Sequence, residues 1–343
     1  MKNKIKILIV ILTLILAGSN IYASGGNRTG TAGGAELLIP VGPRGIAMGS
    51  GNIASSYGIE ALYWNPAGVA NLEHSVDLTF SHMNYIADIG VEYGAVATNI
   101  EGFGALAFSI KALNVGNILI TTTSNPDGTG ATFSPQMITA GLTYARQLTE
   151  RIAIGVTANY LSETLDKVSA NGIAFNAGVI YNDLADISGL SIGIALKNIG
   201  PQMKFDGSGL LQLSSVGGLN RPPTYNKINA ASFDLPSLFE LGFGFKPKLD
   251  ENNSLQFIGT FHNNNFSGDE YNIGGEYGYA NTFFIRGGYT MSPKSQSDLY
   301  IYGLTAGIGL NYSVEGIGIK VDYAFRAVKY LGDNHVFAIS LGF

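Results

Sequence analysis

Cysteine is absent, which excludes disulfides, thiolate metal sites and a lipid-modified N-terminal cysteine. Charge is scarce as well: Asp, Glu, Lys and Arg make up 13% of the 343 residues, against about 25% in an average soluble domain. Water is therefore not expected to be the only solvent. The balance is acidic, at −5, and no block of Lys or Arg occurs, which argues against nucleic acid as a partner. The interior holds no apolar run of about 18 residues or more, so a spanning helix is excluded there. His74, His82, His262 and His335 are scattered and no pair has metal-ligand spacing; neither a metal nor a cofactor is expected.

What is abundant is glycine (46), tyrosine (18) and phenylalanine (18), with a positive mean hydropathy. Hydropathy spread over many short segments, with no helix-length run, is the pattern of a transmembrane β-barrel, where each strand offers every second side chain to lipid. The first residues read as a secretory signal. Lys2, Lys4 and Lys6 form a basic region, Ile7 to Ala17 is apolar, and Ile21-Tyr22-Ala23 ends in a small residue suited to cleavage. Residues 1–23 are set apart on that ground, and their removal takes away three lysines and no acid, moving the net charge from −5 to −8.

From residue 75 onward, period-two segments recur near 76–86, 90–100, 103–115, 135–147, 152–165, 171–181, 190–198, 236–247, 254–263, 270–279, 282–291, 299–312, 316–327 and 335–343. Fourteen are counted, so residues 75–343 are expected to form a 14-stranded antiparallel transmembrane barrel, as a monomer. Ile152, Ile154, Val156, Ala158 and Tyr160 share one face, with Ala153, Gly155, Thr157 and Asn159 on the other. Ile317, Ile319, Val321, Tyr323 and Phe325 alternate with Gly318, Lys320, Asp322, Ala324 and Arg326. Tyrosine and phenylalanine at the segment ends suit an interfacial girdle, with outer-membrane lipid as the surrounding partner.

Connections after even-numbered segments are short and polar, such as "LTER" and "AN". After odd-numbered segments most are longer, notably Gly116 to Ser134 and Ile199 to Leu235. That asymmetry is expected of short periplasmic turns and longer outside loops, although the connection near Ala87–Ile89 is short. The sequence ends "HVFAISLGF", with Phe337, Ile339, Leu341 and Phe343 on one face, which resembles the closing strand of bacterial outer-membrane barrels.

Residues 24–74 do not alternate. They are glycine-rich and mildly apolar, and are expected to enter the lumen as a hatch. In "ALYWNPAG", Pro66 disfavours helical geometry at Asn65, so a helical piece must break near Tyr63 or the sole tryptophan, Trp64. Asn65 then suits an N-cap, and Pro66 the first residue of a second short helix reaching about Leu72. This hinge serves either as a plain elbow or as an element of gating or binding; the sequence leaves both open.

The stretch Gly30–Leu72, with "GPRGIAMG" at Gly42–Gly49 and "ALYWNPAG" at Ala61–Gly68, followed by fourteen alternating segments, resembles the PorV/PorQ group within the long-chain fatty acid transporter (FadL) superfamily. The resemblance spans the chain beyond the signal. It implies a 14-stranded barrel with an N-terminal hatch carrying Asn65, Pro66 and Ala67. Transporter-type members pass hydrophobic small molecules such as fatty acids through the barrel. PorV-type members serve type IX secretion, receiving secreted proteins by a C-terminal signal domain beside a large translocon subunit. An accessory or docking role is the main expectation, and a fatty acid transporter the alternative. The segment Gly209–Leu213, "GLLQL", is the candidate for a small apolar cap over the outside end.

Candidate site residues follow. In the hatch they are Arg44, Met48, Tyr63, Trp64, Asn65, Pro66, Ala67 and Gly68, with Trp64 and Met48 expected to share an apolar pocket. On the lumen parity they are Glu240, Glu276, Arg286, Lys320, Asp322 and Arg326, joined by Glu92, Lys111, Lys197 and Lys246. Glu276 and Arg286 stand equally far from the turn at Asn281, which suggests a cross-strand ion pair. These charges are expected to hold the hatch; the sharper alternative is that Arg286, Lys320 or Arg326 meets a ligand carboxylate. "GSGNIA" matches a dinucleotide-binding pattern, but no strand precedes it and no strand-helix units follow. His82 and Ser340 fall on opposite faces, so no hydrolase constellation forms and no enzymatic activity is expected.

Overall fold

Fourteen antiparallel strands close into a single barrel in the computed structural model, which describes residues 30–214, 222–293 and 300–343. The expected signal segment lies outside the described residues. The strands are β1 Val76–Asn84, β2 Gly90–Ile100, β3 Gly104–Asn114, β4 Gln136–Gln147, β5 Ile152–Leu165, β6 Val168–Tyr181, β7 Leu190–Ile199, β8 Leu238–Phe245, β9 Asn253–Asn264, β10 Glu270–Tyr279, β11 Phe283–Met291, β12 Tyr302–Val314, β13 Ile317–Val328 and β14 Asn334–Gly342. Each pairs with its neighbours in sequence. Closure comes from β14 lying against β1 in the register Asp77↔Gly342 to Asn84↔His335. Closing the sheet leaves no unpaired edge, which a lipid environment demands.

The period-two pattern becomes two faces. Phe80, Leu142, Val156, Ile285, Leu304 and Ile308 are exposed on the outside, where lipid takes the place of water. Among the described residues no helix is long and apolar enough to cross a membrane.

Connections at one end (101–103, 148–151, 182–189, 246–252, 280–282 and 315–316) are short turns. The opposite end carries the long loops, though its asymmetry rests on 115–135, 200–237 and 292–301. The sixth segment begins earlier than the sequence suggests, so β5 and β6 are joined by residues 166–167 alone. Leu165 and Val168 continue the pairing right up to that turn.

Residues 30–75 run inside the barrel as short helical pieces: 3-10 turns at Ala35–Leu38, Gly58–Glu60 and Pro66–Ala70, and two helices, α1 Pro43–Ala47 and α2 Ala61–Trp64. Helices this short are not stable alone. Packing holds them, with Ile46, Ala47, Met48 and Ile53 fully buried. Glycines on the inward parity let the two backbones touch. A Cβ at Gly274 or Gly288 would collide with Met48 and Gly49 main chain, and Gly49 itself, at positive φ, lies against the backbone of Ile273 and Tyr289.

Two inward assignments are corrected. Glu92 points outward and pairs with His82, because β2 turns Val91, Tyr93, Ala95 and Ala97 inward. This wall is apolar on its inner face because Ala95 and Ala97 pack on Ile59, Ala61, Leu62 and Val69 of the N-terminal segment, so the usual polarity contrast is reversed there. Lys246 lies beyond the end of β8, exposed in the turn.

Candidate functional site

The hinge forms as its residues dictate. α2 ends at Trp64, Asn65 is extended (φ −151°, ψ 109°), and its side-chain oxygen accepts from Ala67 N at 3.1 Å as the N-cap of Pro66–Ala70. The helical turn stops at Ala70, two residues short of Leu72. The other side of the amide reaches outward: Asn65 Nδ2 donates to Ile53 O at 2.9 Å, Val179 O at 3.2 Å and Ile194 O at 3.4 Å. One fully buried side chain thus joins the N-terminal segment to β6 and β7. Pro66, Ala67 and Gly68 are buried beside it, and a Cβ on Gly68 would strike Ser56 O.

In the half nearer the short turns, Arg44 of α1 grips Glu276 of β10 with two hydrogen bonds, Nε to Oε2 and Nη2 to Oε1, each 2.8 Å. Glu276 is also met by Arg286 Nε at 2.6 Å from directly across β10 and β11, and Arg286 Nη1 goes on to Asp322. Arg44 Nη1 lies 3.6 Å from Glu60, so a carboxylate of the segment's own joins the cluster. Planar guanidinium forks on a shared carboxylate give directional bonds as well as charge balance. Lys320, nearer the rim, pairs with Glu73 at 2.7 Å. Hydroxyls on the wall extend the grip: Thr305 Oγ1 donates to Ala47 O at 2.8 Å and Thr290 Oγ1 to Gly49 O at 3.0 Å.

In the half nearer the long loops, Glu240 is held by Lys197 at 2.7 Å and by His262 at 3.0 Å, with Asn272 bonded to the far ring nitrogen of His262 and to Ser50 O. The Lys197 and Lys111 ammonium groups lie 4.8 Å and 5.2 Å from the Tyr63 ring centre, a cation-π arrangement. Trp64 stands edge-on to Tyr63 at 5.0 Å, within an apolar cluster of Ile39, Val41, Ile46, Ala47 and Ile53. Its Nε1 is buried with no acceptor among the described residues. Met48 is buried outside that cluster, contrary to the expectation of a shared pocket, because the chain turns at Met48 to pass along β10 and β11. Arg326 lies over the Tyr302 ring at 4.0 Å. Arg286 and Lys320 therefore have carboxylate partners, while Arg326 is buried against the Tyr302 ring.

Residues 203–205 and 233–235 of the long loop turn back over the lumen, rather than Gly209–Leu213. Met203, Phe205, Phe233 and Leu235 pack with Leu37, Leu161, Ala170 and Ala174, while Leu211 and Leu213 project from a two-stranded ribbon formed by Leu211–Ser214 and Thr224–Lys227. An apolar run marks burial only if the chain bends it inward, and here the bend comes elsewhere.

Sequence reasoning missed three groups. Glu36 is buried with no donor to either carboxylate oxygen among the described residues, while Lys111 Nζ donates to the Glu36 and Ile39 carbonyls at 2.7 and 3.1 Å. Burial, and next the neighbouring Glu163 carboxylate, push the Glu36 carboxyl up to about 7. Glu163, which accepts from Gly34 N at 2.8 Å, was legible as inward from the parity of Thr157, Asn159 and Leu161. His74, bonded to Asp77 at 2.9 Å, fills space left by Gly318 and Gly342, a relation nothing in sequence order announces.

Set beside known proteins, residues 23–257 match the family model described as type IX secretion system protein PorV. The chain belongs to the PorV family. No curated protein matches it. The solved structures it is similar to include the Ralstonia pickettii toluene transporter TbuX (TM-score 0.57, 14% identity, 89% of this chain and 98% of that one). A second is the CymD monoaromatic hydrocarbon channel (TM-score 0.56, 14% identity, 89% and 97%). A third is a Pseudomonas aeruginosa FadL homologue (TM-score 0.50, 12% identity, 88% and 98%). At such identities they establish the FadL-like barrel fold and nothing finer. A PorV-family barrel is an outer-membrane protein, and its family ties it to type IX secretion components.

Proposed function

We propose that this PorV-family barrel is a non-enzymatic docking component of type IX secretion, exported by its N-terminal signal and set in the outer membrane with the long loops outside. Residues 24–74 act as a hatch that closes the lumen, and residues 75–343 as the barrel. The loops 115–135 and 200–237 receive exported proteins bearing a C-terminal signal domain, or a large translocon subunit.

The observation that carries this reading beside family membership is the way the lumen is filled. Arg44, Asn65, Gly49 and Ser50 each bond to the wall, so the inside is occupied by protein that is tied down on many sides. Such a barrel has its outer loops, rather than its bore, available for work. Affinity purification of the tagged protein from its own outer membrane, followed by identification of everything that accompanies it, tests the proposal. Secreted proteins or a translocon subunit support it, and their absence from a gently solubilised, folded sample refutes it.

A second reading, transport of a fatty acid or similar amphiphile, rests on the apolar cluster around Trp64 and its unpartnered indole N–H. It requires the hatch to move, and a stoichiometric fatty acid without protein partners would favour it.

A further inference from the structure

The outer wall of the barrel carries an open groove of about 610 Å³ across the closing seam. Its apolar sides are Phe80 of β1, Ile110 of β3, Val321 of β13 and Phe337 and Ile339 of β14. The floor is low because Gly94 and Ala112 stand outward where other strands carry large side chains; the position a Gly94 Cβ would take lies 3.5 Å from Phe80 and 3.9 Å from Ile110. At one end sits a polar pair on the lipid-facing side, His82 Nδ1 to Glu92 Oε1 at 2.6 Å, with His82 Nε2 against Asn84 Oδ1 at 2.9 Å. His82 is two residues from the end of β1, so the pair lies about 5 Å below the rim at a strand rise near 3.3 Å and a tilt near 40°. The pair is thus near the rim, with Phe80 and Ile339 a further step along the wall toward the middle of the barrel.

A second outer groove, of about 390 Å³, offers a contrast. It is lined by Leu106, Leu142, Tyr144, Val156, Phe175 and Leu196 and has no charged residue, as suits ordinary lipid contact. Charge on the lipid face is costly unless it meets a polar partner. Glu92 is 57% exposed on its side chain, and a carboxylate accepts more than the one bond it receives from His82, which fixes its direction.

We propose that the groove is a binding site for a lipid with a primary ammonium headgroup, the ammonium on Glu92 and one acyl chain lying along Gly94 and Ala112 between Phe80, Ile110 and Ile339. An open apolar groove with a carboxylate acceptor at its rim end fits a single amphiphile in its lining and in charge. The site is independent of the hatch and of the secretion role.

Native mass spectrometry of the full barrel, titrated in detergent with phosphatidylethanolamine or phosphatidylglycerol, tests it. We expect one phosphatidylethanolamine to be retained at least tenfold more strongly than phosphatidylglycerol. Gly94→Leu, which fills the groove at ordinary contact distance, and Glu92→Gln, which keeps its shape, should each abolish that preference with the strand content unchanged. Equal retention of both lipids overturns the proposal, as does a preference that survives Glu92→Gln. So does a co-purifying membrane protein that Gly94→Leu removes while lipid retention stays the same, because the groove would then be a protein interface.

Discussion

Arg44 and Glu276, 232 positions apart in sequence, are joined by two hydrogen bonds of 2.8 Å, a two-pronged ionic tie between the N-terminal segment and the barrel wall. Glu276 is at the same time the partner of Arg286, so a single carboxylate serves both the wall and the N-terminal segment.

Removing it should leave the buried Arg286 and the half-buried Arg44 guanidinium groups short of charge. Glu276→Gln is expected to cost about 3–5 kcal/mol, the usual consequence of breaking a buried pair from one side. Because Trp64 is the only tryptophan, loosening of the hatch is readable as quenching of its fluorescence by iodide. The variant should be quenched and the parent shielded; identical quenching, with the barrel still folded, would show that the pair does not hold the segment.

Asn65→Ala should lose both the cap and the bonds to β6 and β7. About 1–2 kcal/mol is expected from the cap alone. Gly178→Val probes the same contact from the wall, since a Cβ at position 178 would collide with Asn65 Oδ1. Protease cleavage within residues 30–75 should accelerate in both variants while the strands resist. Unchanged cleavage would mean the hinge is held by other contacts.

Glu36 should make docking of the N-terminal segment depend on pH. Its carboxyl is raised from 4.5 to about 7, by burial first and then by Glu163, with Lys111 opposing. The docked state therefore holds a proton that the released state gives up between those values. Docking is strongest below pH 4.5, weakens as pH rises to about 7 and is level above it, a change of about 3 kcal/mol at 1.36 kcal/mol per pH unit between the two values. Thermal unfolding followed from pH 5 to 8.5 should show a decline that Glu36→Gln flattens; the same slope in both proteins would remove Glu36 as its source.

The Lys197–Glu240 pair predicts non-additivity. Lys197→Met leaves Glu240 buried with His262 alone, and should cost several kcal/mol. Adding Glu240→Gln should recover part of that loss. A double variant as unstable as the sum of its parts would show that the two residues do not act together.

The strands were legible because period two survives in any half-apolar sheet: all fourteen segments coincide with strands, and Glu276 and Arg286 meet in the register their distance from Asn281 implies. The break at Asn65-Pro66 was legible for an equally local reason. Legibility failed where one part of the chain covers another. Glu92 looked inward because Val91, Tyr93, Ala95 and Ala97 look like a lipid face, and only the packing of Ile59 and Val69 against them shows otherwise. Gly209–Leu213 looked like a cap, yet Met203 and Leu235 take that place because the loop turns there. Glu36 in "AELL" carries no sign of the wall that buries it.

The most direct test of the docking account is to purify the tagged protein gently from its own outer membrane and identify by mass spectrometry every protein and lipid it carries. The account predicts exported proteins sharing a C-terminal domain, or a large translocon subunit, in stable association. A stoichiometric fatty acid with no protein partner would contradict it and identify a transporter.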